Sequence, residues 1–311
     1  MFVVSELLDV ERMHTVDLDG PVRYREWPGP ANGPTFVCVH GLGGSSLNWA
    51  SVGPGLSRRG RVVALDLAGF GLTPRAGRPS TLSANRRLLS AFVTEVARPP
   101  VVLVGNSMGG ALATLQAAHE PHSVAGLIQT SPALPWNHQM RPGALILFGF
   151  AMYRMAGIGE WFVRQRVVRQ EPEHVVAQTF RMCCVDAGRI EPDVVRAHVE
   201  LATLRREDPD AIPAFLEAAR SLLRLGANRQ LARRVIGQVQ CPVLVIHGAE
   251  DRLVPIGLAR EVVQQHSQTW HLEELDRVGH VAMLETPDRW LRAADRWLDE
   301  VLLPAAAASR T

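Results

Sequence analysis

Short runs of apolar, largely β-branched residues recur along the chain, separated by longer stretches with helical periodicity. A run such as Val101-Val102-Leu103-Val104 suits a strand buried on both faces, and residues 35–39, 62–65, 124–129 and 243–247 read the same way. Residues 13–18 and 22–27, joined at Asp19-Gly20, predict an opening antiparallel hairpin, and 270–275 a weaker final strand. Between these runs, 81–97, 108–119 and 287–303 carry helical periodicity. The last of them sets Trp290, Leu291, Ala294, Trp297, Leu298 and Val301 on one face. Strands alternating with helices predict an α/β fold, a mainly parallel sheet flanked by helices.

One stretch breaks the alternation. From about residue 132 to 240 there is no convincing strand, only helical segments punctuated by Pro142, Gly157, Pro172, Pro192, Pro209 and Gly226. A stretch this long is not a plain loop in a compact domain. The expected organisation is a core of residues 1–131 and 241–311 carrying a helical cap inserted at 132–240. The small-residue tail, 304–311, is expected to fray.

Composition changes this picture mainly by exclusion. With 47% hydrophobic and 21% charged residues, a large core is expected. The formal net charge is +2 and no like-charge block reaches five residues, so no nucleic-acid partner is expected. All 33 basic residues are arginine. That removes Schiff-base chemistry, pyridoxal phosphate attachment, the P-loop lysine and the S-x-x-K acylase motif. Cys38, Cys183, Cys184 and Cys241 show neither C-x-x-C nor Cys/His ligand spacing, so neither a zinc site nor a disulfide framework is expected, and a reducing, cytoplasmic setting follows. No secretory signal is read at the N-terminus. The most membrane-like segment, 143–152, is too short to span a bilayer, and no integral span is expected.

The chemistry gathers at Gly105-Asn106-Ser107-Met108-Gly109-Gly110, a G-x-S-x-G motif between an apolar strand and a helix. A serine on so tight a turn needs small neighbours, and the turn lifts its hydroxyl above the sheet beside the helix N-terminus. A serine hydroxyl needs a base, and histidine is the side chain tuned for that near neutrality. Among eleven histidines, His280 stands in a glycine-containing loop after the last strand. His40 lies beside a loop needed for the oxyanion. His247 ends a strand and reads as a packed, hydrogen-bonded core residue. His119, His122, His174, His198, His266 and His271 lie on helices or surface turns, where solvation is expected. Asp251, just past the strand 243–247, is the candidate acid, with Glu250 the neighbouring alternative.

Together with His40-Gly41-Leu42-Gly43-Gly44 and Asp66-Leu67-Ala68-Gly69-Phe70-Gly71, these motifs give a chain that resembles the α/β-hydrolase superfamily from about residue 20 to 303. The resemblance implies a Ser107–His280–Asp251 triad, an oxyanion hole from the backbone N–H groups of Leu42 and Met108, an acyl-enzyme, and no metal or organic cofactor. The elbow is similar to that of carbon–carbon bond hydrolases acting on meta-cleavage products. Those enzymes usually carry tryptophan after the catalytic histidine, where this chain has Val281, and a cap arginine where it has His198, with Arg189 and Arg196 nearby. The loop 279–287 looks more like esterases and lipid hydrolases. The expected partner is a small apolar acyl substrate, a carboxylic ester before a vinylogous diketone. Substrate-binding residues in the cap are left unassigned, as is oligomeric state. A hydrolase-fold receptor with little turnover stays open as a different class.

Overall fold

A computed structural model of the chain describes residues 13–135 and 143–304. The N-terminal segment read for a signal, Pro142 and all but the first residue of the tail lie outside these. All eight expected strands form: β1 (His14–Asp17), β2 (Pro21–Trp27), β3 (Phe36–Val39), β4 (Val62–Leu65), β5 (Val101–Asn106), β6 (Val124–Thr130), β7 (Val243–Gly248) and β8 (Trp270–Leu275). They make one sheet in the order β1-β2-β4-β3-β5-β6-β7-β8. β2 is antiparallel to β1 and β4, and the remaining pairs are parallel. The hairpin turns where expected, with Asp19 and Gly20 both at positive φ.

The helices described are α1 (Gly53–Leu56), α2 (Leu82–Phe92), α3 (Met108–His119), α4 (Ala144–Arg154), α5 (Ile158–Val167), α6 (Pro172–Cys183), α7 (Pro192–Arg205), α8 (Ala211–Ala227), α9 (Arg229–Gly237), α10 (Ile256–Gln265), α11 (Ala282–Glu285) and α12 (Pro287–Trp297). Every residue of β3, β4, β5 and β7 is buried, because helices cover both faces of the sheet. Successive strand residues point to opposite sides: Val37 and Val39 join α2, α3 and α10 in one core, while Phe36 and Cys38 join α1, α11 and α12 in another. Two helices differ from the periodic reading. The regular part of α2 stops at Phe92 and that of α12 at Trp297, each running on into a wider π turn, Val93–Ala97 and Leu298–Leu302.

After β6 the chain leaves the sheet and returns only at β7, and α4 to α9 fill the interval. α8 shows why this segment folds on itself: Ile212, Leu216, Ala219 and Leu223 are buried along one stripe, and α8 packs against α2, α4, α5 and α9. Among the described residues no helix is long and apolar enough to cross a membrane.

The topology positions a site. β3 connects to β4 at one flank, whereas β5 connects to β6 at the other, so the chain diverges from the β3/β5 pair. A crevice opens at the carboxyl ends of strands where connections diverge in this way.

Candidate active site

Ser107 stands at that crevice. It follows β5, precedes α3 and holds φ 53° and ψ −114°, a strained backbone for a residue with a Cβ. Its neighbours over-determine it. The Ser107 N–H donates to the Thr130 carbonyl at 3.0 Å, and the Ser107 carbonyl accepts from Ala111 at 3.2 Å and Ala133 at 2.9 Å. The flanking glycines are steric necessities, since a Cβ on Gly109 would lie 2.0 Å from the Val39 carbonyl oxygen and one on Gly105 2.6 Å from the Gly109 backbone. Asn106 is buried beside Ser107, and its Nδ2 donates to the carbonyls of Thr130 at 3.1 Å and His280 at 3.2 Å.

That bond ties the elbow to the loop after β8. His280 is buried there, with Nδ1 donating to Asp251 Oδ2 at 2.7 Å. This fixes the tautomer and leaves Nε2 as the free basic nitrogen. The Asp251 Oδ1 accepts from the N–H groups of Leu253 at 2.8 Å and Val254 at 2.9 Å, while His247 Nε2 lies 3.3 Å from Oδ2 and donates to the Val254 carbonyl at 2.9 Å. Burial opposes ionisation of Asp251. The charge of His280 and the bonds from His247 and His280 outweigh it, holding the carboxyl well below its usual range.

The loop after β3 closes the third side. Gly44 N–H donates to the Gly41 carbonyl at 3.1 Å, and a Cβ on Gly41 would lie 3.2 Å from that of Ser107. His40 braces this loop. Its Nδ1 donates to the Gly41 carbonyl at 2.7 Å and its Nε2 accepts from Leu67 N–H at 3.1 Å, a pattern only the neutral ring can make, and burial pushes its pKa down. It is no second base. Asp66, from the other motif, accepts from Ser46 at 2.6 Å and Leu72 at 2.8 Å. Leu42 lines the cavity beside Ser107, and Met108 opens α3, where first-turn N–H groups lack intrahelical acceptors.

Ser107 and His280 both line a cavity of about 440 Å³ between the sheet and the inserted helices. Its walls are mostly apolar, from Phe162, Val176, Ile212, Phe215 and Leu222 among others. His198 departs from expectation: it faces this cavity rather than bulk water. Its Nδ1 donates to the Val194 carbonyl at 2.8 Å, its ring meets Phe180 edge-on at 5.2 Å, and burial pushes its pKa down to about 4. Arg205 also lines the cavity, bonded to the carbonyls of Gly69 and Gly71. Arg166 lines it too, and among the described residues has no acidic partner.

Sequence reasoning missed Glu285. Its carboxylate, fully buried, accepts from the N–H groups of Val185 at 3.0 Å, Asp186 at 2.9 Å and Gly279 at 2.7 Å, with Arg189 at 3.6 Å. His280 N–H meanwhile donates to the Cys183 carbonyl at 2.6 Å. The end of α6 is thus laced to the His280 loop. A buried glutamate within an apolar helix turn is the one sequence signal that could have flagged it.

The profile of the alpha/beta hydrolase fold matches residues 34–287, a span holding the elbow, both loops and every inserted helix. The chain belongs to that family. This α/β hydrolase is 27% identical over 296 residues to a 2-hydroxy-6-oxo-6-(2'-aminophenyl)hexa-2,4-dienoic acid hydrolase of Metapseudomonas resinovorans, covering 93% of this chain and 91% of that protein. It is also 27% identical over 270 residues to a pimeloyl-[acyl-carrier protein] methyl ester esterase of Nitrosomonas europaea, covering 85% and 95%. Among solved structures, a putative lipase of Acinetobacter baumannii superposes on the α/β hydrolase with a TM-score of 0.76 at 18% identity, covering 96% of this chain and 95% of that one.

Proposed function

We propose that this α/β hydrolase is a serine hydrolase that cleaves an apolar carboxylic ester under a helical cap, residues 132–240. The observation carrying this reading is the pairing of a strained Ser107 with an Asp251-oriented His280 on one apolar cavity. Ser107 Oγ attacks the ester carbonyl and passes its proton to His280 Nε2. The N–H groups of Leu42 and Met108 hold the oxyanion. His280 returns the proton to the departing alkoxide, and water, deprotonated by the same ring, hydrolyses the acyl-enzyme. Asp251 orients the ring and stabilises its cationic form. The first prediction is that a fluorophosphonate labels the folded protein on Ser107, that Ser107→Ala abolishes labelling, and that this variant loses at least about 10³-fold in turnover of p-nitrophenyl esters. Labelling that survives Ser107→Ala defeats the reading.

Arg166 favours a second reading, carbon–carbon hydrolysis of a carboxylate-bearing dienoate. A guanidinium without an acidic partner among the described residues, on a mostly apolar wall, suits a substrate carboxylate. Arg166→Met separates the two. For a neutral-ester enzyme the variant keeps kcat/KM within about threefold, whereas loss of a carboxylate anchor costs about 1.5–3 kcal/mol, or ten- to a hundredfold, on a dienoate.

A further inference from the structure

The outer surface of the insertion is built unlike its inner wall. In the α4–α5 hairpin, Phe162, Val163 and Tyr153 line the cavity, yet Phe148, Met155, Ile158 and Trp161 stand exposed, Trp161 at 61% and Phe148 at 53%. Ile158 and Trp161 are three residues apart on α5 and share one of its faces, while Phe148 stands on α4 and Met155 just past its end. Phe148 packs edge-on against Phe162 at 6.3 Å, which holds the two helices together with their apolar outer faces uncovered. Four large apolar side chains exposed within one hairpin are concentrated rather than scattered, the pattern of an interaction surface.

The charge around it names the partner. Besides Arg166 of the cavity wall, residues 143–169 contain Arg154, Arg164 and Arg169 against one glutamate, and that Glu160 is taken by Arg220 at 2.9 Å. Beside Met155 opens a second cleft, lined by Arg154, Arg220, Arg224 and Arg229 with Leu223 and Asn228. Its lining includes no acidic residue, and among the described residues Arg154, Arg224 and Arg229 have no ion-pair partner. Unpaired arginines that converge on one cleft take phosphate. Leu223 lines both this cleft and the catalytic cavity, as neighbouring Tyr153 and Arg154 line one each, so the two spaces share a wall.

We propose that the α4–α5 hairpin and the adjoining arginine cleft form a docking face for an anionic phospholipid surface, the exposed apolar side chains entering the acyl boundary and the arginines taking lipid phosphates. Apolar area plus cationic attraction is the combination that seats a helix in a membrane interface without spanning it. The proposal is independent of which bond Ser107 cleaves.

The test uses the full chain with vesicles of phosphatidylcholine alone and of an equimolar phosphatidylcholine–phosphatidylglycerol mixture. Expected are co-sedimentation with the mixed vesicles, weakening as salt is raised, and a blue shift of tryptophan emission absent from Trp161→Phe. The triple variant Arg154→Glu/Arg224→Glu/Arg229→Glu should bind at least on the order of a hundredfold more weakly, from the loss of three attractive charges, while its melting temperature stays close to the parent's. Phe148→Ser/Trp161→Ser should likewise lose binding and remain folded. Equal binding to pure phosphatidylcholine, or binding that neither variant weakens, overturns the proposal. So does binding of inorganic phosphate without vesicle binding, which marks a soluble-anion site. A dimer in sedimentation velocity that Trp161→Ser dissociates, with no vesicle binding, marks the exposed apolar side chains as a self-interface and overturns it as well.

Discussion

Asp251, buried, and His198, half-buried against the cavity, are titratable groups that meet opposite fates, and the difference lies in their partners. Burial disfavours the charged form of each. Asp251 receives two backbone N–H groups and faces two imidazoles, so its anion is compensated and its pKa falls despite burial. His198 is desolvated by burial, its one bond to the Val194 carbonyl compensates a cation only in part, and the charge of Arg25 opposes it, so its pKa drops from 6.5 to about 4. The consequence for stability follows from linkage. A histidine whose folded pKa is depressed leaves the unfolded chain binding more protons between those two values, so its contribution is complete above about pH 6.5 and is lost as pH falls toward 4. Asp251, depressed from 3.8, acts below that window. Urea unfolding at pH 7 and at pH 4.5 should therefore show a smaller acid loss in His198→Gln than in the parent, by on the order of 1–2 kcal/mol, the ring being only half-buried. Identical losses in the two proteins would refute the assignment.

At the scale of elements, the Glu285 carboxylate and the His280 N–H bond to the Cys183 carbonyl together hold the junction between the insertion and the His280 loop. Glu285 gathers N–H donors from the α6–α7 connection and from Gly279, and a Cβ on Gly279 would lie 2.2 Å from the Cys183 carbonyl oxygen, so these two backbones touch. Glu285→Gln keeps the shape but turns an NH₂ toward N–H donors, leaving at least one buried donor unsatisfied. The expected cost is about 2–4 kcal/mol in urea unfolding, together with a fall in kcat of about tenfold and little change in KM, because the base shifts while the cavity walls stay. Unchanged kcat alongside the stability loss would confine Glu285 to a structural role. The partners in these contacts were not legible in the chain, and the reason is physical. Ser107 announces itself through local rules: a buried strand, two glycines that the turn requires, and a helix, all contiguous. Glu285 acts on residues about 100 positions away, and His247 meets Asp251 only because β7 ends in a turn that folds the chain back. His198 was misread for a related reason, since a histidine on a helix is solvated or buried according to what packs on that helix. The central strands β3 to β7, by contrast, followed from their own residues, since burial on both faces writes itself into unbroken apolar runs.

At the scale of the whole molecule, the sheet supplies Ser107, His280 and the loop 41–44, and the insertion supplies most of the cavity wall, so under the proposed function chemistry and selectivity reside in different parts of one chain. The cavity has two unlike ends. Toward α6 and α7 it carries His198 and Thr179; toward α3, α8 and α9 it is lined by Leu115, Leu222, Leu225, Ala232 and Ile236, with no charged group among them. An alkyl chain is stabilised by about 0.8 kcal/mol for each methylene taken from water, so its favoured position is the second end. Ala232 is small and buried on that wall, and a larger side chain there shortens the available space. If the acyl chain lies there, Ala232→Phe excludes the last few methylenes of an octanoyl chain, and four of them are worth about 3 kcal/mol, or roughly a hundredfold in kcat/KM. The acetyl ester never reaches that depth, so its kcat/KM should remain within about threefold of the parent's, which also reports that the variant is folded and its triad intact. A parallel loss on acetate and octanoate would mean that the substitution disturbed the catalytic groups. Retention of octanoate turnover would place the chain at the His198 end, and the roles of the two walls would exchange.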